Sequence, residues 1–269
     1  MFETCPLHLH TLDAMGPQAN RLIAALPALS FQQLAPLLEP VEMRLGDVLH
    51  EPGRTLSHVY FPTTSIVSLL HLLENGAATE IAVVGYEGIV GVSLFMGGQS
   101  ALSQAVVRSS GSGFRVRAMA MVKAFEQGGP LVHIMLRYTH ALYTHIGQTA
   151  VCNRYHILDQ QLCRWLLMSL DRQFSRDLVV THELIANMLG VRREGVTQAA
   201  LALQKAGLIR YTRGHISVVD SPGLEKRSCE CYAVVKKEYD RMFEDKPAAQ
   251  FTQCRQTKML AGCSTQPRH

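Results

Sequence analysis

The stretch from Asp177 to Asp220, DLVVTHELIANMLGVRREGVTQAALALQKAGLIRYTRGHISVVD, constrains this chain most, because its apolar period changes from helical to strand-like within one compact segment. Leu184, Ile185, Met188 and Leu189 define one face of a first helix, Thr181 stands where an N-cap belongs, and Gly190 supplies a residue tolerant of positive φ at its end. A second helix opens near Arg192. It turns Val196, Ala200, Leu203 and Ala206 inward and leaves Arg193, Glu194, Thr197 and Gln198 on its outer, N-terminal face. Gly207 stops it. Two short strands then follow, Leu208 to Tyr211 and His215 to Val219, joined through Thr212, Arg213 and Gly214. The pattern is a helix-turn-helix with a β-hairpin wing.

Two amphipathic helices around a glycine are common in cores that bind nothing, so the wing and the charge carry the functional weight. Between Thr181 and Val219 five basic residues (Arg192, Arg193, Lys205, Arg210, Arg213) face two acids (Glu183, Glu194), a net +3, whereas the whole chain is only +4. Such a concentration suits the phosphates of double-stranded DNA. The outer face of the second helix carries Arg, Glu and Gln, whose donors and acceptors match guanine, cytosine and adenine edges. Arg193, Glu194 and Gln198 are therefore the expected base readers. Thr181, Arg192, Thr197, Arg213 and His215 are the expected backbone contacts. Arg192 sits where Ser or Thr would cap the helix better, which is consistent with an arginine retained for a phosphate.

The remainder reads as a soluble chain of 269 residues, 47% hydrophobic and 18% charged, long enough for two small domains. No apolar run is long enough to cross a bilayer, and MFETCPLHLH lacks a leader's basic and apolar regions, so a cytoplasmic protein with no membrane partner is expected. The seven cysteines (Cys5, Cys152, Cys163, Cys229, Cys231, Cys254, Cys263) are odd in number and contain no CxxC, an argument against a disulfide framework or an ordinary zinc or iron-sulfur site. Cys229 and Cys231 form a CxC pair. On a helix they would point to different sides, so joint ligation requires non-helical backbone or other partners, and no metal or cofactor is expected.

Along the chain, residues 1–30 form a broken N-terminal segment with a short helix near Asn20 to Leu26, and Phe31 to Leu38 suggests another. Residues 31–129 are dominated by short β runs: Val41–Leu45, Val48–His50, His58–Phe61, Ser65–Leu73, Ala78–Val84, Gln104–Arg108 and Phe114–Arg117. Asn75-Gly76 predicts a type I′ hairpin, and Ser109 to Gly113 a Gly-Ser loop. Over residues 130–155 Leu131, Ile134, Met135, Tyr138, Leu142, His145, Ile146 and Thr149 recur at three and four on one long helix. No neighbouring helix clearly covers them. Leu131, Ile134, Met135, Tyr138, Leu142, His145 and Thr149 are taken as a homodimer interface, with packing on the β domain as the alternative. Residues 156–222 hold a further helix and the winged helix-turn-helix, 223–244 a charged helix, and 245–269 an aperiodic tail expected to be mobile.

The order β-roll, long helix, winged helix-turn-helix resembles the Crp/Fnr superfamily of bacterial transcription regulators over about Leu37 to Asp220. The most specific piece is Val191-Arg192-Arg193-Glu194-Gly195-Val196-Thr197-Gln198, which looks like that family's recognition-helix start. The resemblance implies an α+β fold with a cyclic-nucleotide-binding-like jelly roll, a homodimer on a palindromic site, and RNA polymerase as a further partner. It implies that Arg193 contacts guanine, that Glu194 accepts from cytosine and orients Arg193, that Thr181 bonds a phosphate, and that Gln198 replaces a family arginine. The family's Gly-Glu-Leu and Arg-Ser-Ala turns for ribose and cyclic phosphate are missing. Val90 to Phe95 lacks the glutamate and Ser103-Gln104-Ala105 lacks the arginine, with Glu87 and Arg108 the nearest charged substitutes. No cyclic AMP binding is expected, and the small-molecule effector is unknown. Only Cys5 lies where the iron-sulfur branch places its cysteines. A haem or metal reading would draw on His133, His140, His145, His156 and Cys152, but histidines on a long helix are more often packed than ligating. A sensing module whose helix-turn-helix contacts protein is the rival reading, and no P-loop, HExxH, nucleophile elbow or dinucleotide fingerprint supports an enzyme.

Overall fold

The structure is a computed structural model that describes residues 15–98, 100–173, 177–212 and 214–244. Asn20 anchors its start. Fully buried, Asn20 caps α1 (Arg21–Ala24) by accepting from the Leu22 and Ile23 amides, and donates to the carbonyls of Pro62 (2.9 Å) and Gly88 (2.8 Å). One side chain thus joins the N-terminal helix to two parts of the β domain. Helix α2 (Ala28–Leu34) follows.

Among the described residues, seven strands build the β domain: β1 (Glu39–Met43), β2 (Val48–His50), β3 (His58–Pro62), β4 (Ile66–Leu72), β5 (Ala78–Val84), β6 (Gln104–Ser109) and β7 (Gly111–Arg117). They form two antiparallel sheets, β1-β7-β3 and β2-β6-β4-β5, around a core that includes Met43, Val59, Phe61, Val67, Val83, Val107 and Val116. The Asn75-Gly76 hairpin is present, but its turn is not type I′. Only Gly76 has positive φ (83°); Gly76 donates back to the Leu73 carbonyl and Asn75 Oδ1 accepts from Ala77, so a tight turn precedes a single left-handed glycine. The anticipated loop from Ser109 to Gly113 is mostly strand. A Cβ at Gly111 would lie 2.5 Å from the Ser65 amide and one at Gly113 2.6 Å from the Phe61 carbonyl, so these glycines permit close backbone approach.

Helix α3 (Ala118–Glu126) leads through Gly128 and Gly129, both at positive φ, into α4 (Pro130–Tyr155), with Pro130 pre-set for the first turn. The chain breaks at His156, extended at φ −100° and ψ 148°, before α5 (Leu158–Leu170). The helix-turn-helix comprises α6 (His182–Leu189) and α7 (Arg193–Lys205). Its wing has three strands, in the order β8 (Asp177–Val179), β10 (His215–Val218), β9 (Ile209–Thr212); β8 is the strand that periodicity missed. The charged C-terminal segment is two helices, α8 (Ser221–Arg227) and α9 (Glu230–Met242), broken at Ser228 and Cys229.

Helix α9 corrects the sequence reading of α4. It returns across α4, and Tyr232, Val235, Tyr239 and Met242 are buried there. Leu131, Ile134, Met135, Tyr138, Leu142, His145 and Thr149 are all buried inside the protomer, packed within the core shared with α9 and the β domain. The His145 and Tyr138 rings lie 6.0 Å and 6.3 Å from that of Tyr239. Arg137 donates to the Arg241 (2.6 Å) and Glu244 (2.8 Å) carbonyls, satisfying the end of α9. Those seven residues are therefore core, and the side of α4 left to solvent is the opposite one.

Two buried arginines tie the β domain to α5. Arg108 pairs with Glu80 (3.0 Å), donates to Ser169 (2.9 Å) and lies over the Trp165 ring, while Ser68 also donates to Glu80. Arg172 pairs with Glu87 (2.8 Å), donates to the Val83 carbonyl and stacks over Tyr239. Each cation and carboxylate is desolvated, so each depends on its partner.

Candidate nucleic-acid interface

Thr181 caps α6 as expected, its Oγ1 accepting from the Leu184 amide at 3.2 Å, and Gly190 closes the helix in the left-handed region at φ 66°. A Cβ at Gly190 would also stand 2.8 Å from Thr79 Oγ1, so the turn seats the helix-turn-helix against β5. Met188 and Leu189 of α6, Ile81 and Val83 of β5, and Trp165 of α5 enclose a gap of only about 10 Å³ between the two. At Gly195 the fit is close but less strict: a Cβ would lie 2.8 Å from the Cδ2 tip of Leu158 of α5. Glycine there lets the start of α7 approach α5 while the opposite face remains outward.

That outward face holds Arg192, Arg193, Glu194 and Gln198, all exposed. Arg192 occupies the N-cap in extended backbone (φ −76°, ψ 142°), where its donor-only guanidinium cannot cap the α7 amides, so they are left without a side-chain partner. Arg193 forms a loose ion pair with Glu183 of α6 (3.8 Å). The carboxylate nearest Arg193 is thus on the first helix, whereas the sequence reading assigned Glu194 to orient it.

Thr197 is placed differently from expectation. Its hydroxyl donates to the Arg193 carbonyl (3.0 Å) and lies 3.0 Å from His182 Nδ1, so it fastens the two helices together. His182 in turn stacks on Tyr211 of the wing (4.1 Å between rings), and burial, followed by the charge of Arg193, lowers its pKa. This His182 relay joins α6, α7 and the wing, and sequence reasoning missed it because its three members come from three elements. Thr181 and His215 are exposed on the same module. Arg213, the expected wing-tip contact, lies outside the described residues.

Four residues read separately in the sequence come together elsewhere. Cys152 and His156 at the end of α4 meet Cys229 and Cys231 at the start of α9, with all four ligand atoms within 4.8 Å of one another. The CxC pair meets its condition for sharing a site, because Cys229 is the N-cap of α9 in extended backbone (φ −85°, ψ 166°), outside the helix. Of the other histidines considered, His145 is buried beside Tyr239, and His133 and His140 are exposed.

Residues 160–227 match the family described as the Crp-like helix-turn-helix domain. A search of curated protein sequences finds no match to the chain. Among solved structures, a putative Crp/Fnr-family transcriptional regulator from Eubacterium rectale superimposes with a TM-score of 0.61 at 18% identity, covering 78% of this chain and 98% of that one. FixK2 from Bradyrhizobium japonicum gives 0.61 at 16% identity, over 71% and 98%. A CRP-family transcriptional regulator from Thermus thermophilus gives 0.57 at 18% identity, over 70% and 96%. None of the described helices is long and apolar enough to cross a membrane. The chain has the fold of the Crp/Fnr regulators, a β domain joined by a long helix to a helix-turn-helix, and carries a Crp-like helix-turn-helix domain.

Proposed function

We propose that this protein is a sequence-specific, non-enzymatic DNA-binding transcription regulator that acts as a homodimer on a palindromic site. The observation that carries the reading is the outer start of α7, where Arg192, Arg193, Glu194 and Gln198 stand exposed at a helix N-terminus that no side chain caps. Unsatisfied N–H groups, the positive end of the helix and two guanidiniums favour phosphate. Glu194 and Gln198 add the acceptors and donors needed to read bases, and Arg193, held loosely by Glu183, can exchange that surface pair for a guanine edge. Thr181 and His215 flank this face as backbone contacts, with Arg213 retained from the sequence. RNA polymerase is the further partner in this reading.

The dimer is assigned to the outer face of α4. His133, Leu136, His140, Tyr143, Gly147, Ala150 and Arg154 recur there at alternating steps of three and four, the spacing of a two-helix seam. Leu136 is 53% and Tyr143 76% exposed, so a second copy would cover apolar surface that the protomer leaves open. Two such copies place their α7 helices in successive major grooves about 34 Å apart.

The effector is something other than cyclic AMP, or none. Arg108, one of the two charged residues nearest the nucleotide-binding turns, is already neutralised by Glu80, and Glu87 by Arg172. Freeing either for a ligand would strand a buried charge. Titration calorimetry should show no heat with cyclic AMP, and micromolar affinity would overturn this part.

Selection from a random DNA pool, with wild type and Arg193→Ala in parallel at fixed salt, tests the whole reading. The expected result is an enriched palindrome whose guanine preference is lost in the variant. Salt-sensitive binding with no enriched sequence would refute it.

A further inference from the structure

Cys152 and His156 are four residues apart on the last turn of α4 and its cap, and so share a face. Cys229 and Cys231 come from the far side of the helix-turn-helix domain, at the N-cap and second residue of α9. Cys152 Sγ lies 3.6 Å from Cys229 Sγ, and Cys231 Sγ lies 3.6 Å from His156 Nδ1. A tetrahedral ion with sulfur bonds of about 2.3 Å and a nitrogen bond near 2.0 Å holds its ligand atoms about 3.5–3.8 Å apart. Two opposite edges of that tetrahedron are therefore already in place, and the 4.8 Å limit on all separations leaves little contraction for the rest. An iron-sulfur cluster distributes its cysteines over several irons and needs a wider frame.

The surroundings fit the same chemistry. His156 Nε2 lies 3.3 Å from Glu230 Oε1, the carboxylate partner that fixes a histidine's tautomer and leaves Nδ1 to ligate. Gln161 of α5 donates to the carbonyls of His156 (2.8 Å) and Cys152 (3.4 Å), holding the backbone of both ligand residues. Arg164 of α5 is only 4% exposed, and its Nε has no hydrogen-bond partner. Three thiolates and a neutral imidazole around a divalent ion carry a net negative charge, and a buried guanidinium offsets it. Cys163, on α5, does not belong to the set: it is not among the four residues whose ligand atoms lie within 4.8 Å of one another.

We propose that Cys152, His156, Cys229 and Cys231 form a mononuclear tetrahedral metal site of the zinc class. Its ligands bracket residues 157–228, so the ion clamps the two chain ends of the helix-turn-helix domain to each other at the break between α4 and α5. Soft thiolates select zinc over calcium or magnesium.

The full-length protein, purified without chelators, should contain one zinc per chain by elemental mass spectrometry. Replacement with Co²⁺ should give the visible bands of a tetrahedral sulfur-rich site and thiolate charge-transfer absorption. Cys229→Ser and Cys231→Ser should each lower metal content severalfold, and Cys163→Ser should leave it at the wild-type level. Because ligand variants can misfold, the wild-type apoprotein is also titrated with Zn²⁺ against a chromophoric chelator, where 1:1 binding and a raised unfolding temperature are expected. A folded apoprotein that fails to compete for Zn²⁺, a Cys152–Cys229 disulfide in the protein as isolated, inorganic sulfide with the metal, or equal metal in every cysteine variant would each overturn the assignment.

Discussion

Helices α4 and α7 both carry an apolar stripe at helical spacing and a polar outer face, yet only in α7 does the sequence tell which neighbour covers the stripe. The buried side of α7 meets α6 and α5, which precede it closely in the chain. The cover for α4 is α9, which follows only after the entire helix-turn-helix domain. A stripe without a local partner is thus a demand for a partner, and sequence distance does not decide whether that partner is another molecule or a later part of the same chain.

The largest expected effect tests the α4 side. Tyr138 is 0% exposed, and a Cβ on Gly88 would lie 2.5 Å from its hydroxyl, so the ring fills its site closely. Tyr138→Ala should cost about 3–5 kcal/mol in chemical unfolding, as for other large-to-small aromatic core changes. If the loss were small and vanished at high protein concentration, the stripe would be an oligomer interface after all. Charge on the opposite face sharpens the contrast: Tyr143→Glu should leave protomer stability nearly unchanged while analytical ultracentrifugation shifts from dimer to monomer. An unshifted dimer would place the seam elsewhere.

On α7 the outer face should matter for DNA and little for folding. Arg193→Ala is expected to lose about 1–3 kcal/mol of affinity for the selected site, chiefly through one base pair, with an unchanged melting temperature. A uniform loss over all sequences would make Arg193 a phosphate contact. Thr181→Ala, which removes the α6 cap, should destabilise by about 1 kcal/mol in the same unfolding assay. Acid should act mainly on the α4 core. Burial holds the pKa of His145 well below its usual value, with Arg172 and Arg164 adding to the effect. The unfolded chain takes up a proton below about pH 6.5 that the folded state refuses, so stability falls as pH drops through that range. His145→Gln should flatten this part of the pH–stability curve.

Local signals were legible where both partners of an interaction lie close together. The Thr181 cap, the Gly190 turn, the uncapped Arg192 and the Asn75-Gly76 hairpin are all short-range features, and they appear where the sequence places them. The Gly-Ser stretch misled because Gly111 and Gly113 serve close approach between strands, a need that composition alone does not distinguish from a loop. The expectation of one helix over residues 223–244 hides the geometry of the four clustered side chains. Ser228 closes α8 by donating to the Glu225 carbonyl, and Cys229 caps α9 with no side-chain hydrogen bond, so the break that frees Cys229 from the helix carries little local signal beyond the acidic Glu230 of the first turn. Pairing the CxC motif with Cys152 and His156 required the tertiary return of α9, which no local pattern contains. The His182, Thr197 and Tyr211 relay was missed for the same reason.

The late position of α9 also orders the birth of the molecule. The β domain and the helix-turn-helix each contain their own near partners, so both can form as the chain leaves the ribosome. The β domain can cover part of the buried face of α4 early, but the part under α9 must wait until Val235 and Tyr239 have emerged. During that interval this side of α4 is only partly covered, and the last of the described helices to be synthesised is the one that completes the cover.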